Sequence, residues 1–87
     1  MYSIEFSNSS AKELQKIYKV DPKFYSRLIA ATESLKSKPY QGKKLKGPLH
    51  DHYSVRVGYY YRIVYRILDD RLVVYIVDIG HRKDIYR

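Results

Sequence analysis

Two alternating segments that meet at Asp69-Asp70 constrain this chain more than any other feature. From Tyr60 to Leu68 the side chains take turns: Tyr61, Ile63, Tyr65 and Ile67 fall on one side, Arg62, Val64 and Arg66 on the other. A period of two belongs to a strand that turns one face toward a core. Leu72 to Ile79 is apolar on both faces, as a strand in the middle of a sheet must be. The Asp-Asp pair reads as the hairpin turn, without the glycine that would fix its type. Upstream, Tyr53 to Val57 alternates as well, with Tyr53, Val55 and Val57 facing one way and Ser54 and Arg56 the other. Gly58 then marks a turn or bulge. These three segments form an antiparallel meander.

The N-terminal part has a different rhythm. Tyr2 to Phe6 alternates enough for a short strand, and Ser7 or Asn8 can cap a helix by accepting an orphan backbone N–H. That helix runs to about Val20 with Leu14, Ile17 and Tyr18 on one side. Asp21-Pro22 reads as an N-cap followed by proline in the first helical position. The second helix continues to about Lys36, with Phe24, Leu28, Ala31 and Leu35 as its apolar stripe. Two amphipathic helices with almost no gap between them make an antiparallel hairpin. Pro39, Gly42, Gly47 and Pro48 exclude regular structure across most of residues 37–52, which also hold Lys43, Lys44 and Lys46.

The expected fold is therefore α+β. It is one domain over residues 1–87: an N-terminal strand, a helix hairpin and a three-stranded antiparallel meander, with the helices on one face of a four-stranded sheet. The opposite face is left partly open, and Arg56 and Arg62 stand on it. The absence of cysteine excludes disulfides and thiolate metal sites. His50 and His52 lack the companion ligands of a metal centre, and no cofactor is expected. No apolar run approaches a membrane span, and MYSIEFSNSS does not read as a secretory leader. A soluble cytoplasmic protein is the expectation.

Charge narrows the function. Seventeen basic against nine acidic residues give +8, and +7 of it falls in residues 36–87. A positive end on a small domain favours a polyanion through counterion release; a solvated basic surface without a dedicated partner is the alternative. A mid-strand arginine is commonly held by a cross-strand carboxylate or stacked on a tyrosine, and Glu5, Asp78 and Asp84 are available. Two on one face, near Arg82, shift the reading toward phosphate, because the planar fork matches phosphate oxygens and stays charged. Lys43, Lys44 and Lys46 are either further anion contacts or a solvated loop tip.

The stretches R-V-G-x-Y-x-R-I-V-Y (Arg56 to Tyr65) and G-H-R-x-x-x-Y (Gly80 to Tyr86) resemble the RelE/ParE superfamily of toxins from toxin–antitoxin pairs, and the likeness extends over the whole chain. The RelE branch implies an mRNA interferase acting in the ribosomal A site. The ParE branch shares the fold and implies a non-enzymatic poison of DNA gyrase. Arg62, Arg82 and Tyr86 place the chain nearer the RelE branch. The resemblance also implies a cognate antitoxin, with the ribosome and mRNA as the other partners. A degenerate relative that binds only antitoxin or operator DNA is the third reading.

Metal-free RNA cleavage needs a base for the 2′-hydroxyl, cations for the charge on phosphorus and an acid for the departing 5′-oxygen. Arg62 and Arg82 suit charge stabilisation; in RelE-like toxins the matching arginines contact the scissile phosphate. A guanidinium is a poor proton donor. His81 is a candidate acid or base by its reference pKa, and equally a surface residue beside a glycine turn. Tyr86 can stack on a splayed base, act as base if arginines favour its phenolate, or simply pack on the sheet. RelE-like toxins often carry two lysines where this chain has Ser54 and Arg56, so the base must come from Tyr86, His81 or water. The expected catalytic set is Arg62, Arg82, Tyr86 and His81, with Arg56, Lys43, Lys44 and Lys46 as RNA contacts.

Overall fold

The computed structural model describes residues 1–81. In chain order the elements are β1 (Ser3–Phe6), α1 (Asn8–Val20), α2 (Pro22–Ser34), β2 (Lys43–Lys44), β3 (Tyr53–Val57), β4 (Tyr61–Leu68) and β5 (Val73–His81). The sheet order is β1-β5-β4-β3-β2. β1 runs parallel to β5, and every other pairing is antiparallel. The architecture is the expected α+β meander under a helix hairpin, with one difference: the sheet has five strands, because Lys43–Lys44 adds a short edge beside β3. Two residues are too few to show a period, so the lysine pair reads as loop in the sequence.

Both helices start where local chemistry says they should. The Ser7 hydroxyl accepts from the Ser10 N–H at 3.1 Å, and the Asp21 carboxylate accepts from the Phe24 N–H at 3.1 Å. Pro22 fills the first turn of α2, where its missing N–H has no partner to lose. The helices lie on one face of the sheet, α1 against β5 and α2 against β3. Leu14, Ile17, Leu28 and Leu35 from the helix side close over Val57, Ile63, Tyr65, Val74, Ile76 and Ile79. Each such side chain taken from water contributes about 1.5–3 kcal/mol.

One irregularity decides what the far face presents. Val64 pairs with Asp78 but Tyr65 pairs with Ile76, so Val77 is an extra residue in β5. The bulge reverses the parity of the strand. Val74 and Ile76 point to the core before it, and Ile79 points there after it, which turns Asp78 and Gly80 to the opposite face. Without the bulge, Asp78 would point into the core. α1 holds the bulge from its first turn: the Ser7 hydroxyl donates to the Val77 carbonyl at 2.7 Å, and buried Ser10 lies 3.2 Å from the Ile76 carbonyl.

A second anchor fixes the loop that carries β2. Tyr65 is fully buried, and its hydroxyl donates to the Pro39 carbonyl at 2.7 Å while accepting from the Gly42 N–H at 3.1 Å. A Cβ on Gly42 would stand 2.4 Å from that hydroxyl oxygen and 2.7 Å from the Ser54 carbonyl, so only glycine fits. The hydroxyls of Tyr2 and Tyr40 both donate to the Asp69 carboxylate, tying the β4–β5 turn to the chain start and to the post-helix loop.

Candidate functional site

Strand register builds the far face residue by residue. Arg56 lies directly opposite Arg62 across β3 and β4, and Arg62 lies directly opposite Gly80 across β4 and β5. All three are on the side away from the helices, since their neighbours Val57, Ile63 and Ile79 are core residues. Cross-strand Cβ atoms of an antiparallel pair sit about 4.5–5.5 Å apart. The pair thus puts two positive side chains on neighbouring strands of one face. Gly80 adds no side chain on the third strand, so one flank of the pair is low.

Two residues down β3, Ser54 faces Lys43 of β2, which brings one lysine of the loop to the same face as the arginines. Lys44 pairs with Tyr53 and belongs to the helix side, and Lys46 is exposed in the loop beyond. The three lysines are therefore split, and Lys43 alone extends the arginine face. Further along, Arg66 is engaged by Asp51 at 3.3 Å, which in turn contacts His52 at 2.7 Å. Of the three carboxylates available to the arginines, Glu5 instead faces Arg71 at 3.7 Å, Asp78 lies on the arginine face opposite Val64, and Asp84 lies outside the described residues. Arg56 is exposed; Arg62 is half-buried, with its Nε covered.

His81 ends β5 opposite Tyr61. It therefore stands at the same end of the sheet as Arg56 and Arg62 but on the helix side, not beside the guanidiniums. The bulge is the reason: it moves Gly80, not His81, to the arginine face. There the imidazole stacks on Tyr60, with ring centres 5.5 Å apart and planes at 8°, and meets Tyr61 edge-on. Tyr61 packs edge-on against Phe24 of α2, with its hydroxyl 3.3 Å from Glu13 of α1. Arg82 and Tyr86 lie outside the described residues. Among the described residues no group of three or more His, Asp or Glu side chains is arranged to hold a metal ion, and no helix is long and apolar enough to cross a membrane.

Sequence reasoning passed over Tyr59 and Tyr60. The strand expected from Tyr60 begins at Tyr61. Tyr59 and Tyr60 follow Gly58, whose φ of +67° turns the chain, and they remain largely in solvent. A tyrosine pair in a tight turn beside arginines was the available signal.

Comparison with known proteins bears on this geometry. The family described as "ParE toxin of type II toxin-antitoxin system, parDE" matches residues 4–86. The toxin RelG of Mycobacterium tuberculosis is 33% identical over 88 residues, covering 99% of this chain and 97% of that protein. The mRNA interferase toxin RelE of Escherichia coli is 29% identical over 84 residues, covering 94% of this chain and 84% of that protein. The crystal structure of the toxin–antitoxin complex RelBE2 from Mycobacterium tuberculosis contains a similar chain at TM-score 0.80 and 29% identity, covering 93% of this chain and 98% of that one.

Proposed function

The chain belongs to the family of ParE toxins of type II toxin–antitoxin systems, within the RelE/ParE superfamily, and on that premise we propose that it is an endoribonuclease that cuts mRNA on the ribosome. The observation that carries this reading is the directly opposed pair Arg56 and Arg62 on the sheet face away from the helices. Two cations in register on one face make a patch that attracts an anion. A phosphodiester is the anion whose oxygens a guanidinium fork fits. A relative 29% identical carries the name mRNA interferase, and the excess of +8 suits an RNA surface.

In the proposed reaction the 2′-oxygen forms a bond to phosphorus and the bond from phosphorus to the 5′-oxygen breaks. The products end in a 2′,3′-cyclic phosphate and a 5′-hydroxyl. Arg62 and Arg82 hold the equatorial oxygens as charge builds, which is what positioned cations do best. A base takes the proton of the 2′-hydroxyl, and an acid donates a proton to the departing 5′-oxygen. Tyr86 and His81 are the candidates for these transfers. His81 serves directly only if the scissile linkage lies over the strand end, since its ring is on the helix side. Arg56 and Lys43 guide the strand, with Lys44 and Lys46 as peripheral contacts to RNA. The arginines supply the charge a metal would otherwise bring, so the reaction is proposed to be metal-independent. A cognate antitoxin, as in the complexes its structural relatives form, would hold the toxin in check.

The family description favours a second reading, a ParE-type inhibitor of gyrase. Programmed ribosomes and a supercoiling assay, run on the same preparation, separate the two. Cut message with normal supercoiling supports the interferase, and the reverse result replaces it with the gyrase inhibitor.

A further inference from the structure

Tyr59 is 86% exposed and Tyr60 65% exposed, at the tip that joins β3 to β4. Rings of this size left in water need a use when they cluster. Tyr60 is not a loose side chain. One face of its ring lies parallel to the His81 imidazole at 5.5 Å and 8°, and its exposure leaves the rest of the ring to solvent. Tyr59 stands 6.3 Å away at 53°, so the two rings do not close on one another. The base of this stack is fixed, because His81 is paired to Tyr61 in the sheet and Tyr61 packs on Phe24. The tip follows the Val57–Tyr61 pair, which is the next pair in the ladder after Arg56 and Arg62. An RNA strand that crosses this end of the sheet can set a phosphate at the arginines on one side and a nearby base at the tip.

We propose that Tyr60, backed by His81 and flanked by Tyr59, is a stacking platform at the sheet end for an unpaired base of the RNA strand whose phosphate is held by Arg56 and Arg62. The proposal rests on the ribonuclease reading and adds a base contact that the arginine site does not contain. An aromatic face accepts any base, so the platform adds affinity without strict sequence choice. Pre-stacking on His81 limits the ring's freedom before RNA arrives, which reduces what binding must order. Phosphate contacts position the strand, and the platform orients the nucleotide.

The test uses the full chain and ribosomes programmed with a message whose 2′-hydroxyl at the cut position is replaced by hydrogen, so that binding is read without cleavage. Tyr60→Ala is expected to weaken binding by a factor between about 5 and 150, the range for losing one base–aromatic stack. Tyr60→Phe is expected to keep wild-type binding, since the ring and not the hydroxyl is used. Replacing the platform nucleotide with an abasic one is expected to remove the difference between wild type and Tyr60→Ala. Arg56→Ala, in contrast, lowers the salt dependence by about one counterion whatever the base. Equal binding by Tyr60→Ala and wild type, while Arg56→Ala weakens binding, overturns the platform and leaves the ribonuclease reading standing. Wild-type protein that fails to bind programmed ribosomes overturns both. Loss of antitoxin binding by Tyr60→Ala with ribosome binding intact makes the tip a protein contact and also overturns the proposal.

Discussion

Replacing Ser7 by alanine removes only the cap of α1, yet it should disturb the arginine face through the β5 bulge. The hydroxyl makes two contacts that nothing else in the residue can replace. It accepts the Ser10 N–H at 3.1 Å as the cap of α1, and it donates to the Val77 carbonyl at 2.7 Å on the β5 bulge. Losing a serine cap costs about 0.5–2 kcal/mol. Losing one ordinary hydrogen bond costs about 0.5–1.5 kcal/mol more. Ser7→Ala is therefore expected to cost about 2 kcal/mol, or about 8–16 °C in melting temperature for a domain of this size. Urea denaturation of the purified chain measures it, with Ser7→Thr as the conservative control. Ser9→Ala serves as the neighbour control: Ser9 is exposed and reaches the same carbonyl only at 3.4 Å. Because the bulge turns Gly80 toward Arg62, message cleavage by Ser7→Ala should also fall under conditions where the chain is still folded. A loss below about 0.5 kcal/mol, or no distinction from Ser9→Ala, would refute the role given to this serine.

Other outcomes follow from the same contacts. Tyr65→Phe should cost about 1–3 kcal/mol, since it leaves the Pro39 carbonyl and Gly42 N–H without the buried hydroxyl; Gly42→Ala should also destabilise, and less so in the Tyr65→Phe background, where one of its two close contacts is gone. The hydroxyls of Tyr2 and Tyr40 hold the Asp69 carboxyl below its ordinary value. Its stabilisation is then present above the unfolded pKa and is lost as pH falls through the lower folded value, so Asp69→Asn should flatten the acid limb of a melting-temperature profile. In the same cluster the Asp69 hydrogen bond pushes Tyr40 up to about 12. That contribution is full below the usual tyrosine value and is lost as pH climbs toward the raised one, which an alkaline melt of Tyr40→Phe against wild type would expose. Arg56→Ala should raise thermal stability by roughly a few tenths of a kcal/mol in the absence of RNA, because it removes a like charge opposite Arg62; a fall in stability would mean that the pair is not in conflict.

Much of this fold was legible in the residues, and the gaps have physical causes. The Asp21-Pro22 junction, the serine cap and the strict alternation of β4 are local signals, and each element begins within a residue or two of where they put it. The alternation also put Arg56 and Arg62 on one face, and the register places them directly opposite each other. The β5 bulge was harder. Its trace was present, since the apolar set passes from Val74 and Ile76 to Ile79 with Asp78 between, but a strand read as apolar on both faces conceals a change of parity. That single extra residue decides that Gly80 faces the arginines and that His81 does not. β2 was hidden for another reason: two lysines pair with β3 because Tyr65 and Gly42 hold the loop there, a tertiary cause without a local pattern. The exposed pair Tyr59-Tyr60 went unread because tyrosine fits a strand as readily as a binding surface.

The central claim is that the guanidinium of Arg62, set opposite Arg56 on the face away from the helices, holds the phosphodiester that is cut. Single-turnover cleavage of a programmed message by wild type and Arg62→Ala, both verified as folded, tests it most directly. Loss of one positioned donor to a charged transition state is expected to slow cleavage by about 100-fold or more. An Arg62→Ala protein that cuts the message at the wild-type rate would contradict the account.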